Sequence, residues 1–160
     1  MEESTRVRDA VLGFYRGVTE KDVDRFDEIV SSHQATIVIG TAPGEWVTER
    51  PQLRFGFETE GITLEPGSRP MGYEEGTMGW FVDEPWFGFP GGGGMRTRVT
   101  GIVRQEDGRW KVVHLHFSVG VPDDEVQEDQ ARWGVNYQVQ PTLSETGAVA
   151  GHLAADPVGQ

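Results

Sequence analysis

Cysteine is absent from the 160 residues of this chain, so the protein has no disulfide bond and no thiolate for catalysis or metal binding. Basic residues are scarce: 14 Lys and Arg stand against 26 Asp and Glu, a formal net charge of −12. Because nucleic acid and anionic membranes repel such a protein, we expect neither as a partner. No stretch approaches the roughly 18 apolar residues of a membrane span. The first residues also lack the basic and apolar regions of a signal peptide, so we expect a soluble, cytoplasmic protein.

The composition changes near residue 122. With 36% hydrophobic residues, the chain is long enough for one domain with a core, and we expect that domain to cover residues 1–122. Residues 123–160 carry seven acidic side chains and one basic side chain, a net charge of −6. This segment is predicted to be an acidic, polar C-terminal extension that is partly helical or disordered.

Helical periodicity is concentrated in the first third of the chain. Apolar residues recur at helical spacing over residues 4–18, which predicts an amphipathic helix with one apolar stripe. A shorter helix is predicted over residues 23–30, with Asp22 as its N-cap. A third helix is predicted from Thr48, with Pro51 in its first turn, where proline is tolerated.

The rest of the domain reads as strands. Residues 35–40 form a short β-branched run that predicts a buried strand, and residues 62–73 are interrupted by prolines, which predicts a bent edge strand. Over residues 77–87, large apolar side chains alternate with the rest, and we expect the alternating set of Met78, Trp80 and Val82 to be buried. The glycines of residues 91–94 predict a mobile hairpin tip.

The strongest strand signal lies in residues 108–122, which pair with residues 95–105 across a turn that contains Asp107 and Gly108. A two-residue loop and a three-residue loop give registers that differ by one residue. We expect the three-residue loop, because it separates an apolar face from a mixed face. The apolar face then holds Thr97, Val99, Val113, Leu115 and Phe117. The mixed face holds Arg96, Arg98, Trp110, His114, His116 and Ser118.

Several of these motifs, in this order, resemble the SnoaL-like branch of the nuclear transport factor 2-like superfamily. Residues 107–118 (DGRWKVVHLHFS) look like the last hairpin of that branch, and residues 39–46 (IGTAPGEW) follow its first strand. Further support comes from Glu75-Gly76 and Gly79-Trp80 on the middle strand and from Arg96-Thr97 at the start of the penultimate one. The chain is similar also to the association domain of calcium/calmodulin-dependent kinase II, and the resemblance covers about residues 5–122.

The resemblance implies an α+β fold in which a curved antiparallel sheet wraps around N-terminal helices as a cone. A pocket lies inside such a cone, and a partner subunit often covers the outer face of the sheet. We therefore expect a homodimer through the mixed face, with Arg96, Arg98, Trp110, His114, His116 and Ser118 in the interface. The expected ligand-binding residues are Phe14, Tyr15, Trp46, Trp80, Thr97, Val99, Leu115 and Phe117.

His114 and His116 form a His-x-His pair on one side of a strand, as zinc ligands do. In the expected register Thr100 and Arg98 lie opposite the two histidines, and a guanidinium repels a cation. The sequence also places no carboxylate or third histidine beside them. We therefore expect no metal site and no cofactor.

Acid–base chemistry in the ketosteroid isomerases of this superfamily uses a Tyr on the first helix and a carboxylate on the first strand. Those positions correspond to about Phe14 and Ile39 here, and an apolar side chain cannot transfer a proton. The remaining candidates are Glu45 at the pocket mouth and Asp83 on the middle strand, although strand alternation places Asp83 on the outer face. A carboxylate in an apolar cone has a raised pKa and acts as an acid or base.

Two hypotheses of different class follow for the function. In the first, the pocket binds a small hydrophobic metabolite and performs cofactor-independent isomerase, cyclase or dehydratase chemistry through Glu45 or Asp83. In the second, the chain is a non-catalytic module for ligand binding or oligomerisation. An interaction domain that works through the acidic C-terminal extension is a third alternative. The apolar residue at position 39 favours the second hypothesis over the first.

Overall fold

A computed structural model describes residues 1–42, 44–122 and 125 of the chain. The predicted C-terminal extension, residues 123–160, lies outside the described residues except for Glu125. The helices are α1 (Thr5–Glu20), α2 (Phe26–Ile29), α3 (Arg50–Leu53) and α4 (Phe55–Glu58), with a 3₁₀ turn at Val23–Arg25 before α2. The strands are β1 (Glu2–Glu3), β2 (Ile37–Ile39), β3 (Trp46–Val47), β4 (Thr63–Glu65), β5 (Met71–Glu75), β6 (Met78–Asp83), β7 (Trp86–Gly88), β8 (Gly94–Arg96), β9 (Arg98–Glu106) and β10 (Arg109–Ser118).

The strands form two sheets. Seven strands make a large curved sheet in the order β1-β5-β6-β9-β10-β2-β3, and β4, β7 and β8 make a smaller one. All the neighbours in the large sheet are antiparallel except β10 and β2, which are parallel. The expectation of a purely antiparallel sheet is therefore wrong at this one pair. The architecture is the expected α+β cone, with α1 against the concave side of the large sheet.

The helix α1 confirms the prediction from its apolar periodicity. Ser4 caps it, since the hydroxyl accepts a hydrogen bond from the Val7 amide at 3.2 Å. The stripe of α1 that faces the sheet consists of Val7, Val11, Phe14, Tyr15 and Val18, each at most 8% exposed. The sheet supplies the other half of the core through Phe81, Val99, Val103, Val112, Leu115 and Phe117.

The shorter helices depart from the prediction. A 3₁₀ turn replaces the first half of the expected second helix, and Asp22 makes no side-chain cap, so that prediction is wrong. The expected third helix is two single turns, α3 and α4, with Pro51 near the start of α3 as predicted. Phe57 in α4 is fully buried and meets Phe26 of α2 edge-to-face at 5.3 Å between ring centroids. The helices α2 and α4 pack against α1, and α2 also packs against β10.

The β9–β10 hairpin uses a turn that differs from the expected one. Asp107 and Gly108 both have positive φ angles, 50° and 75°, as in a two-residue type I′ turn. A β-bulge between Val112 and His114 then shifts the pairing by one residue. Beyond the bulge, Phe117 pairs with Val99 and His116 with Thr100, whereas the expected register put Thr100 opposite His114 and Arg98 opposite His116. The three-residue loop and the expected register are therefore both wrong, but the bulge leaves Leu115 and Phe117 on one face of the strand and His114 and His116 on the other, as predicted.

The face prediction for β6 is wrong. Gly79, Phe81 and Asp83 point into the core, whereas Trp80 is 39% exposed on the outer face. The cause is the close approach of α1, because a Cβ atom at position 79 would lie 2.6 Å from a Val7 methyl carbon. Only glycine fits under the helix at this point, so the neighbouring side chains of Met78 and Trp80 face outward.

Candidate functional site

A cavity of about 290 Å³ opens at the end of the cone between α1, the short helices α3 and α4, and both sheets. Its lining is mostly apolar, and each surrounding element contributes one or two side chains. The apolar residues that line it are Phe14, Val18, Val38, Val47, Leu53, Phe55, Ile62, Leu64, Phe87, Phe89, Met95 and Phe117. A pocket was expected inside the cone, and this cavity lies between the helices and the sheets.

Aromatic rings form one wall of this pocket. Phe87 meets Phe117 edge-to-face at 6.1 Å between ring centroids, and it lies 5.7 Å from Phe89. Phe14 of α1 also lines the pocket, and its ring is fixed by an edge-to-face contact with Phe57 at 5.5 Å. Such contacts hold the rings in place, so the pocket is largely preformed.

The polar groups of the lining come from the β2–β3 hairpin and α3: Thr41, Glu45, Gln52 and the backbone at Gly40. Glu45 folds back over the hairpin, and its Oε2 accepts a hydrogen bond from the Ala42 amide at 2.8 Å. Its carboxylate packs directly on Gly40, where a Cβ atom would lie 2.8 Å from the Glu45 carboxyl carbon. Gly40 and Ala42 thus hold the Glu45 side chain at the pocket wall.

Asp83 and Tyr15 lie together in the core and do not line this pocket. Asp83 is 6% exposed, and its Oδ2 accepts a hydrogen bond from the Gly67 amide at 3.2 Å. The Tyr15 hydroxyl and the Asp83 Oδ1 are buried without a completed hydrogen bond in the described residues. Burial first, and then the neighbouring Asp83 carboxylate, raise the pKa of the Tyr15 phenol above its usual range.

Of the other residues expected to bind a ligand, only Phe14 and Phe117 line the pocket. Trp46 is 64% exposed on β3, and Trp80 stacks on Tyr73 on the outer face at 4.4 Å between ring centroids. Thr97, Val99 and Leu115 are buried in the core behind the pocket. The Thr97 hydroxyl donates to the Pro85 carbonyl at 3.2 Å, so it has a structural role.

The residues expected in a dimer interface divide into two groups. Arg98, His114, His116 and Ser118 lie together beyond the bulge, paired with β9 or β2 in the large sheet. Trp110 lies before the bulge and packs against the core, so it does not share the face of His114 and His116 as expected. Arg96 belongs to the smaller sheet, where its guanidinium donates to the Glu84 carbonyl at 3.1 Å.

His114 and His116 are the candidates for a metal site in the sequence. Within residues 1–42, 44–122 and 125, no group of three or more metal-binding side chains has the geometry to hold an ion. His114 is half-buried between β9 and β2, and this burial lowers the pKa of its imidazole.

Among the residues that the structure describes, no helix is long and apolar enough to cross a membrane.

Much of the pocket comes from residues that the sequence did not single out as ligand contacts. Phe55, Phe89 and Met95 lie at its rim, and Leu64 of β4 forms part of its wall together with Ile62, which directly precedes this strand. Phe89 and Met95 flank the glycine run of residues 91–94, and large apolar side chains beside such a run were the available signal. The sequence did not indicate that β4 contributes to the pocket, because the prolines within residues 62–73 interrupt the strand pattern from which its pairing would be predicted.

The curved sheet, the N-terminal helix inside it and the open pocket define a nuclear transport factor 2-like protein. The family model of the SnoaL-like domain matches residues 7–122, and the chain belongs to this family. No curated protein is significantly similar to the chain in sequence.

Solved structures support the fold. A nuclear transport factor 2-like protein from Salmonella enterica serovar Typhimurium is 14% identical, with a TM-score of 0.60 over 73% of this chain and 90% of that one. A putative dehydratase of the same family from Streptomyces avermitilis is also 14% identical, with a TM-score of 0.60 over 73% and 95%. The association domain of the C. elegans calcium/calmodulin-dependent kinase II is 14% identical, with a TM-score of 0.55 over 69% and 91%. At such identities these similarities concern the fold alone.

Proposed function

We propose that this protein binds a small hydrophobic molecule in the pocket at the open end of the cone. The observation that carries the proposal is a preformed cavity of about 290 Å³ whose lining is apolar except at one end. Apolar concave sites with a few polar groups are typical of small-molecule sites, and this volume suits a small ligand. The exposed rings of Phe55 and Phe89 at the rim support the same function, because a bound apolar molecule would cover them.

Binding is tested with Nile red, a neutral dye that becomes fluorescent in apolar sites. We expect a saturable fluorescence increase with the purified protein and its loss in Leu53→Trp, because the added ring fills the pocket. Thr48→Trp is the matched control, since it adds the same side chain at an exposed position outside the lining. Equal binding by the wild-type protein and Leu53→Trp would contradict the proposal.

Cofactor-independent acid–base catalysis in the same pocket is a second candidate. Glu45 favours it, since it is a carboxylate on an otherwise apolar wall, and the similarity to a putative dehydratase is consistent with it. We propose Glu45 as the acid–base residue in preference to Asp83, which is 6% exposed and does not line this pocket.

Proton exchange gives the test for this second candidate. 2-Tetralone in D₂O exchanges its α-protons for deuterium, and NMR follows the loss of their signal. A catalytic Glu45 predicts exchange faster than in buffer, a return to the buffer rate in Glu45→Gln, and little change in Asp83→Asn. Exchange that persists in Glu45→Gln would exclude this role for Glu45.

The outer face of the large sheet supports a homodimer, which we propose as the assembly. It exposes Trp80, Ile102 and Met78, each between 37% and 44%, and places Arg98 at one end of the same face. Burying such a patch against a second copy would remove a large apolar area from water. Light scattering tests this: Arg98→Glu is expected to lower the average mass, and a monomeric wild-type protein at high concentration would contradict the proposal.

A cytoplasmic location stays a prediction from the sequence.

A further inference from the structure

The charge of the pocket lining narrows the class of ligand, an inference that rests on the proposed binding function. No Lys, Arg or His is among the residues that line the pocket in the described part of the chain, whereas Glu45 contributes a carboxylate. The other polar side chains, Thr41 and Gln52, are neutral and lie near the same end. An anionic ligand head would therefore meet a negative charge and find no cation.

The nearest arginines do not change this balance. Arg50 and Arg54 flank the α3 residues of the pocket, but their guanidinium groups lie 4.7 and 5.3 Å from the centroid of the Phe26 ring, which is outside the lining. Each also pairs with a carboxylate on that side, Arg50 with Asp27 and Arg54 with Glu58. Their charge is thus engaged away from the cavity.

The Glu45 carboxylate retains acceptor capacity toward a ligand. Among the described residues its side chain receives one hydrogen bond, from the Ala42 amide to Oε2, and Oε1 receives none. A carboxylate oxygen accepts more than one hydrogen bond, and a charged donor gives the strongest. The contact with Gly40 keeps the carboxylate at the wall, and Oε1 is available to a ligand there.

We infer that the pocket selects ligands with an apolar body and a hydrogen-bond-donating head, a primary amine in preference to an alcohol and an alcohol in preference to a carboxylate. The apolar body occupies the wall formed by Phe14, Phe87 and Phe117. The head lies at the hairpin end, where Glu45 Oε1 accepts its hydrogen bond.

Three probes with one body test this preference: 4-phenylbutylamine, 4-phenylbutan-1-ol and 4-phenylbutyrate, each used to displace Nile red at pH 7.5. Attraction of the amine and repulsion of the acid by one partly exposed carboxylate are each worth up to about fivefold in affinity. We therefore expect the amine to bind about tenfold more tightly than the acid, and this ratio to shrink in 1 M salt.

Glu45→Gln should bring the amine-to-acid ratio to within about twofold while the affinity of the alcohol changes little. Glu49→Gln is the matched control, since it removes the same charge four residues away at an exposed position outside the lining, and it should keep the wild-type ratio. Nile red that fails to bind would contradict the proposed binding function itself. Nile red that binds in a Leu53-dependent way but is displaced by none of the three probes, or as well by the acid as by the amine, would overturn the preference alone. An amine-to-acid ratio that survives in Glu45→Gln would also overturn it.

Discussion

Replacing Tyr15 with Phe removes one hydroxyl from the core and leaves the ring, so it probes the contact between this phenol and Asp83. Tyr15 is 1% exposed, and its pKa is raised by burial and by the Asp83 carboxylate. In the unfolded chain a tyrosine ionises near pH 10. Above that pH the unfolded state binds fewer protons than the folded state, so the free energy of unfolding falls as pH rises; below pH 10 the contribution is fully present.

The size of the effect follows from this linkage. One group that ionises only in the unfolded state lowers the free energy of unfolding by about 1.4 kcal/mol per pH unit above its unfolded pKa, or about 2 kcal/mol between pH 9 and 11.5. Urea unfolding at a series of pH values should show this loss in the wild-type protein and its absence in Tyr15→Phe. At neutral pH the substitution should cost no more than about 1 kcal/mol, because the hydroxyl has no completed hydrogen bond.

Tyr73→Phe is the comparison, because it removes a phenol from the half-buried ring that stacks on Trp80, on the outer face. If Tyr15→Phe and the wild-type protein lose stability in parallel above pH 10, the phenol is not held protonated beside Asp83, and the reasoning is refuted.

Three further substitutions test the packing and the polar contacts. Gly101→Ala places a Cβ atom against the Phe81 ring and 2.7 Å from a backbone oxygen, so urea unfolding should show a loss of about 1 to 3 kcal/mol, and an unchanged midpoint would contradict the close packing. Gly13→Ala, in the middle of α1 with its nearest neighbour at 4.0 Å, should instead stabilise by about 0.5 to 1 kcal/mol in the same assay. Lys21→Met removes hydrogen bonds of 2.7 and 2.6 Å to carbonyls at the end of α1 and before β4, and thermal unfolding should show a loss of about 1 to 3 kcal/mol. The pKa of His114 is lowered by burial, so its stability contribution is present above pH 6.5 and falls as pH drops below it; an NMR titration that gives a value at or above 6.5 would contradict this.

The long helix α1 was predictable from the sequence, whereas the face that the strand β6 presents to the core was not. Apolar residues recur on one face of α1 through four turns, and this repetition identified the helix. For β6 both faces carry apolar side chains, and the inner face includes a glycine and an aspartate. Hydrophobicity alone therefore favoured the wrong face. The buried face is decided by the tertiary contact of Val7 with Gly79, which the local sequence does not show. The pocket was predicted from family resemblance, but its wall depends on β4 and β7, whose pairing no local pattern revealed.

The bulge at Val113 explains why Phe117 lines the pocket while the histidines do not. Before the bulge, Trp110 and Val112 point toward the core, and an unbroken strand that continued this alternation would turn His114 and His116 inward and Phe117 outward. The extra residue reverses the alternation, so that Leu115 and Phe117 face the cavity side and the histidines face out. Because imidazole groups are thereby kept out of the cavity, the pocket has an apolar floor, and Glu45 on the neighbouring β2–β3 hairpin is the charged group among its described lining residues. The irregularity that the sequence did not reveal thus sets both the apolar character of the pocket and the sign of its charge.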